Sequence, residues 1–578
     1  MNATLEHKRH TLAHLLAAAV MELYPDTKRT IGPAIDNGFY FDFEFSKPIS
    51  EADFPALEKK MRELLPTWTS FVRTELNADE AKKEYPGNPY KHELIDEFTA
   101  DGSKVSFYQS GQYSDLCRGG HVDNPAEGIA PDSFMLDRIA GAYWRGDEKN
   151  PMLTRIYGLA FDTKQELDEY VRMREEARAR DHKKLGKELD LFTFSELVGG
   201  GLPLWTPRGT RLRNTLDEFV WELRRKNGYE KVEIPHITKK ALYETSGHWE
   251  KFAGELFKIT TREGHEFAMK PMNCPHHTQI FARKPHSYRD MPQRYANTTM
   301  VYRDEQSGEL SGLSRVRAIT QDDAHVFCRE VQVKEEMLRI WNIITTFYGA
   351  AGFTLAPRLS LHDPAHMENY LGTEETWNKA EQALRELVKE QGVTATEALG
   401  EAAFYGPKID FLAKDSLGRE WQVATIQLDM NLPERFDLTC INERGEKERI
   451  VMIHAAIMGS IERYLSVLIE HYAGAFPLWL APVQVQVLPV SEKHHTYANE
   501  VLERLRSAHL RAELLADESL GKRIRQTKLE KVPYFIVIGD KEVESGTVTV
   551  EGRTESFGSK PIDEAVHQLV AQAQSRAA

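Results

Sequence analysis

Between Thr298 and Cys328 the chain reads as a strand, a polar Gly-containing loop at Gln306 to Ser314, and a return strand beginning near Arg315. Alternation along that return strand puts Arg315, Arg317, Gln321, Asp323 and His325 on one face and Val316, Ala318, Ala324 and Val326 on the other. An arginine fork suits phosphate geometry and neutral imidazole is a common transition-metal ligand, so this face can hold an anion and a metal together. The competing reading is an exposed antiparallel strand laced with salt bridges. A second set lies near the N-terminus. His10 and His14 share one helix face, and further on Asp115, Cys117 and His121 follow in close succession. Two His, a Cys and another His make a zinc-type constellation, although each pair taken alone fits a structural role as well.

The elements that must position these groups are visible as patterns. His7 to Leu23 has helical apolar spacing and stops before Pro25. Asp162 to Asp190 is charge-dense, free of Pro, and reads as one linker helix. Its Arg172, Arg174, Arg178, Arg180, Lys183, Lys184 and Lys187 suit either an RNA backbone or a solvated helix face. An amphipathic helix over about 210–227 leads into Gly228 to Pro235, read as a strand ending in Pro. Phe404 to Phe411 and Trp421 to Asp429 read as two strands of one sheet, and Val451 to Arg463 as a strand passing through Gly459 into a helix. From Trp479 the pattern becomes strand, helix, strand, helix, strand, which predicts a small α/β domain.

Composition narrows the class. The chain has 578 residues, 41% hydrophobic and 28% charged, enough for three or four globular domains. No apolar run reaches the roughly 20 residues that span a bilayer, and the N-terminal stretch lacks a signal-peptide core, so a cytoplasmic protein without membrane contact is expected. The four cysteines form no Cys-x-x-Cys pair and no disulfide framework. A net charge of −14 argues against coating nucleic acid indiscriminately and leaves recognition of RNA to local patches.

Tyr302-Arg-Asp-Glu305 with Arg315-Val-Arg317 resembles motif 2 of class II aminoacyl-tRNA synthetases, and Thr320-Gln-Asp-Asp-Ala-His325 is similar to the threonyl-tRNA synthetase family. Met269 to His277, Phe404 to Phe411, Trp421 to Asp429 and the motif 3-like Val451 to Arg463 extend that resemblance. The fold it implies is multidomain α+β: an antiparallel class II sheet core with helices, an N-terminal α+β editing domain and a C-terminal α/β anticodon-binding domain. The expected boundaries are 1–160 for editing, 161–190 for the linker helix, 191–478 for catalysis and 479–578 for the anticodon. The family also implies a short form, natural or truncated, lacking a ubiquitin-like domain before the editing domain.

The resemblance further implies Cys274, His325 and His454 as ligands of one Zn2+ per chain, with Mg2+ accompanying ATP. It assigns Arg303, Arg463, Gln427, His248, Tyr405 and Lys408 to catalysis, and Met272, Gln321, Asp323, Gln422, Thr425 and Ser460 to substrate binding. His10, His14, Lys91, Asp115, Cys117 and His121 would line the editing pocket, there positioning water and substrate without metal, and Glu542 would contact the anticodon. The implied activity is ATP-dependent ligation of L-threonine to tRNA(Thr) with hydrolysis of mischarged seryl-tRNA(Thr), by a homodimer built on motif 1, which the helix over about 210–227 and the following strand to Pro235 resemble. The chain departs from the family at His276, where Gly is usual, at Ala455, where Arg is usual, and at Glu551, where an anticodon-contacting Arg is common. The rivals are an RNA-binding paralogue without aminoacylation, a different class II synthetase, and a free-standing zinc hydrolase.

Overall fold

A computed structural model describes residues 3–416 and 418–577. They divide into two compact units, one ending at Glu175 and the other beginning at Glu176.

In the first unit, helix α1 (Ala3–Leu23) is apolar nearly all round from Leu12 to Val20, so it is buried on most sides. It packs on strand β1 (Gly38–Glu44) and on Leu57 and Met61 of a neighbouring helix. A three-stranded sheet, β2 (Val72–Leu76), β3 (Val105–Ser110) and β4 (Tyr113–Leu116), lies beside helix α2 (Pro89–Phe98). Strands β5 (Phe134–Tyr143) and β6 (Met152–Ala160) pair with each other, and β6 with β1, in a five-stranded sheet. The expected single linker helix is two: α3 (Lys164–Arg180) and α4 (His182–Glu188). The break comes at Asp181, whose carboxylate accepts the Lys183 amide and starts a new helix instead of continuing the old one.

The second unit is organised on an eight-stranded sheet. In spatial order its strands are β7 (Glu230–Lys231), β8 (Gln293–Tyr302), β9 (Ala318–Cys328), β14 (Val451–Ser460), β13 (Glu420–Asp429), β12 (Lys408–Lys414), β10 (Leu355–Leu361) and β11 (Thr396–Leu399). The six inner strands are antiparallel, with a parallel strand at each edge. Behind them lie α5 (Pro207–Lys226), α7 (Val333–Ala350) and α8 (Ile461–His471), closing the largest apolar core of the described residues. Helix α6 (Cys274–Ala282) belongs to a smaller cluster with Tyr295, Phe327 and Met452. Of the strand expected from Gly228 to Pro235, Glu230 and Lys231 form the ladder and the Val232 amide adds one bond to the Ala296 carbonyl, an edge pairing that ends before Pro235.

The C-terminal sheet runs β16 (Ala512–Leu514), β15 (Val485–Pro489), β17 (Tyr534–Ile538), β18 (Thr547–Gly552) and β19 (Gly558–Pro561). It is parallel on its first half and antiparallel on the second, with helices α9 (His495–Ser507), α10 (Leu520–Leu529), α11 (Asp540–Ser545) and α12 (Ile562–Ser575). No helix among the described residues is long and apolar enough to cross a membrane.

Candidate active sites

Register builds the site on the large sheet. His325 of β9 stands directly opposite His454 of β14, His454 opposite Gln427 of β13, and Gln427 opposite Lys408 of β12. The next row of the same face carries Asp323, Ala456, Thr425 and Asp410, since side chains two residues apart on a strand share a face. A register shift between Gln321 and Asp323 brings Gln321 opposite Ser460. Cys274 comes from outside the sheet, on the first turn of α6, where Asn273 donates to Asp323 Oδ2 at 3.1 Å.

One ligand atom each from Cys274, His325 and His454 lies within 4.8 Å of the others, and all three residues are buried. His454 Nε2 donates to Asp429 Oδ2 at 2.9 Å, and His325 Nδ1 bonds His277 Nδ1 at 2.7 Å. His325 Nε2 is buried without a hydrogen-bond partner among the described residues. Leaving such an atom unpaired costs free energy that ligation would remove. Burial drives the His325 pKa far down and so keeps a lone pair, and it pushes the Cys274 thiol well up, a shift that an adjacent cation reverses. A thiol, two imidazoles, outer partners that fix the rings and an unpaired buried nitrogen suit a divalent cation such as Zn2+.

The other predicted groups gather nearby. His248 is fully buried, bonds Ser246 through Nδ1 at 2.8 Å and Met272 Sδ through Nε2 at 3.1 Å, and is pushed down to about 3 by burial and then by His454. The Tyr405 ring lies 5.0 Å from that of His454, and Gln427 donates to the Gly406 carbonyl. Ser460 accepts the Arg463 amide at the start of α8, just after Gly459 takes a φ of 65° that turns strand into helix. Arg303 follows β8, half-buried, and Arg463 is exposed; neither guanidinium has an ion-pair partner among the described residues.

One expectation about this face changes. The return strand begins at Ala318, so Arg315 and Arg317 stand on the loop before it. Arg315 Nε donates to Glu305 Oε2 at 2.7 Å and Arg317 Nε to the Glu305 carbonyl at 3.0 Å, closing the loop on itself. Sequence reasoning also missed Asp429, His277, Asp410 and Asp322. Asp429 had a signal, because it sits two residues beyond Gln427 on the same strand face. Asp322 had none: it is a charge on the core face of β9, held by Arg224 and by the Ile457 and Met458 amides.

The first unit brings its own set together. His10, His14, Cys117 and His121 each place a ligand-type atom within 4.8 Å of the others. Cys117 Sγ lies 3.3 Å from His121 Nε2 and 3.5 Å from His10 Nε2, and Phe71 stacks on the His121 ring at 4.1 Å. Lys91 donates to Asp115 at 2.7 Å with both buried. Tyr85 and Tyr113, which the sequence did not flag, also donate to Asp115, and Arg29 lies 3.8 Å away. Burial lowers His121 to about 3 and raises Cys117 to about 11, so at neutral pH the imidazole and the thiol are uncharged. A cavity of about 500 Å³ opens here, lined by His10, His14, Lys91, Asp115 and Cys117.

In the C-terminal domain, Glu542 of α11 accepts from Thr549 Oγ1 at 2.8 Å and from the Gly539 amide at 3.0 Å. Arg523 of α10 is buried and donates to the Pro489 and Leu515 carbonyls. A third group of ligand type, Asp181, His182 and Glu470, has both His182 nitrogens engaged, by Glu470 at 2.7 Å and by the Leu313 amide at 3.1 Å.

Residues 257–472 match the family described as tRNA synthetase class II core domain (G, H, P, S and T), and residues 484–572 match the anticodon binding domain. With an antiparallel sheet carrying an arginine after β8 and another at the start of α8, these define a class II aminoacyl-tRNA synthetase. The chain is 49% identical to the threonine-tRNA ligase of Deinococcus radiodurans over 94% of its own length and 85% of that protein's. The corresponding enzyme of Cytophaga hutchinsonii is 48% identical over 96% and 86%. Among solved structures, the RNA binding domain of threonyl-tRNA synthetase from Cryptosporidium parvum Iowa II aligns with a TM-score of 0.65 at 37% identity, covering 68% of this chain and 98% of that one. The chain belongs to the threonine-tRNA ligase family.

Proposed function

We propose that the protein activates L-threonine with ATP to threonyl-adenylate, transfers it to the 3′ end of tRNA(Thr), and clears seryl-tRNA(Thr) in its first unit. The observation that carries this reading is the buried Cys274, His325 and His454 set, in a chain related over nearly its whole length to threonine-tRNA ligases. Residues 191–478 would be the catalytic domain, 479–578 the anticodon-binding domain, 161–190 the linker and 1–160 the editing domain.

Activation builds charge on the phosphates, which fixed cations stabilise. Arg303 would meet the α-phosphate and Arg463 the γ-phosphate of Mg-ATP, each guanidinium being free of a competing carboxylate. Gln321, Asp323, Gln422, Thr425, Met272 and Ser460 would orient the amino acid and adenylate, with Tyr405 and Lys408 beside them. His248 and Gln427 would lie at the ribose end of tRNA. Bound by Cys274, His325 and His454, Zn2+ would supply an open coordination position for the amino and hydroxyl groups of threonine. Valine lacks the hydroxyl and would leave a buried acceptor such as Asp323 Oδ1 unpaired, which is unfavourable. Serine lacks only a methyl, a difference of about 1–3 kcal/mol, too little for high fidelity, so a second, hydrolytic site is the physical remedy. His10, His14, Lys91, Asp115, Cys117 and His121 suit such a site, because neutral imidazoles beside a lysine can orient water at an ester.

Glu542, fixed by its two internal bonds, is proposed as an anticodon contact. Homodimerisation is proposed through motif 1, α5 with the segment from Gly228 to Pro235, and exposed Leu197, Val198 and Leu204 before α5 in the chain offer apolar surface for it. Four free cysteines suit the reducing cytoplasm. The test is ATP/pyrophosphate exchange with threonine, serine and valine in parallel, with zinc measured on the same protein. About one zinc per chain, with threonine strongest, serine weaker and valine silent, is expected. No exchange with threonine overturns the reading and favours an RNA-binding paralogue.

A further inference from the structure

Asp410 sits in the middle of β12, fully buried, and five donors converge on its carboxylate. Oδ2 accepts from Lys408 Nζ at 2.6 Å, Ser360 Oγ at 2.7 Å and Arg358 Nη2 at 3.3 Å. Oδ1 accepts from Gln422 Nε2 at 2.7 Å and Thr425 Oγ1 at 2.9 Å. Arg358 is only partly buried and reaches Gln422 as well, at 3.5 Å. Register explains the convergence: Thr425 and Arg358 are the direct cross-strand neighbours of Asp410, and Lys408 precedes it by two residues on the same face.

A structural ion pair would be satisfied by one cation. Here one carboxylate fixes three side chains that the proposed function places at substrate, Lys408, Gln422 and Thr425, and backs them with two that it does not, Ser360 and Arg358. We infer that Asp410 is the positioning residue of the amino acid and ATP site, holding the Lys408 ammonium and the Gln422 and Thr425 donors in their working orientation. This rests on the reading of Lys408, Gln422 and Thr425 given above. An asparagine keeps the shape and one accepting oxygen but removes the charge that aims Lys408 and turns the second oxygen into a donor facing donors.

A double-mutant cycle on the full-length protein tests this, reading kcat and KM for ATP/pyrophosphate exchange together with Tm. Asp410→Asn should lower kcat by about 10–100-fold, the scale of a misplaced catalytic group, and raise KM for threonine. Asp410→Glu, which keeps the charge, should recover most of the kcat. Lys408→Met should lower exchange on its own, and Asp410→Asn added to it should cost less than about threefold more, because a residue acting through another is not additive with it. Fully additive losses, or equal losses for Asn and Glu that track Tm, overturn the inference and leave Asp410 structural. If Lys408→Met alone leaves exchange unchanged, the reading of Lys408 has failed and the inference falls with it. Should Asp410→Asn not fold, Ser360→Ala, which loosens the carboxylate and touches none of the proposed substrate groups, carries the same cycle: non-additivity with Lys408→Met supports the inference and additivity overturns it.

Discussion

The two His/Cys clusters set the same kinds of side chain in different surroundings. In the sheet, His454 donates to Asp429 and His325 is bonded to His277, so each ring is held from behind and presents its other nitrogen. In the first unit, His10, His14 and His121 pack mainly on one another and on Phe71, and the nearby carboxylate, Asp115, is occupied by Lys91 and two tyrosines. A carboxylate behind an imidazole raises its basicity and fixes its tautomer for a metal, whereas a lysine beside the cluster opposes a second cation. Ligand-type residues within reach of one another therefore do not define a metal site; their outer partners do.

Cys274→Ala gives the largest effect. It removes the one thiol and should abolish stoichiometric zinc and lower threonine-dependent exchange by at least ~10³-fold, as loss of a central electrostatic group does. Hydrolysis of seryl-tRNA by the same preparation should stay within about twofold, since the two clusters belong to separate compact units and share no residue. Loss of both activities together would break the division of labour between the clusters. A smaller effect is expected from the outer partner. Asp429→Asn leaves all three ligands in place, so zinc affinity should fall by about 10–100-fold, measured by chelator competition. An unchanged affinity would mean that the carboxylate only caps the turn at Asn431 and Leu432, whose amides it also accepts.

How much of this was legible in the sequence follows from where each signal resides. Alternation along β9 placed Gln321, Asp323 and His325 on one face, because the period of a strand is local. That His325 would stand opposite His454 is a matter of register between segments far apart in the chain, and only family resemblance supplied it. Arg315 and Arg317 were misplaced because apolar alternation continues through Val316 and Ala318, while the turn at Ser311 to Ser314 delays the strand. The break at Asp181 was missed because a carboxylate that caps a helix looks, in sequence, like any exposed acid. In sequence Arg523 is indistinguishable from the cations around it, yet its guanidinium satisfies two carbonyls in the interior. Asp410 and Asp322 stayed hidden for the same reason: a buried charge is recognisable only by its partners.

The smallest effect sharpens the comparison through pH. The imidazole of His121 is held down to about 3 by burial and by the neighbouring His10 and His7, and His14 is pushed far down for the same reason. Unfolded, these rings take up protons near 6.5. Between about 6.5 and 3 the unfolded first unit therefore binds more protons than the folded one, so stability falls as pH drops through that window. Asp115 works in the same sense, its carboxylate held low by Lys91 and Arg29 against the cost of burial, but its contribution is lost only below about pH 4, as the unfolded carboxylate titrates. Going from pH 7 to pH 5 should then cost about 2 kcal/mol per fully counted histidine, reduced for His121 by its partial exposure. Hydrogen exchange of the α1 amides in the full chain reads this locally, and His121→Asn should flatten the slope by up to one proton. A slope that is unchanged in the variant would mean that His121 is already charged in the folded state, and an orienting role that needs a neutral ring there would have to be given up.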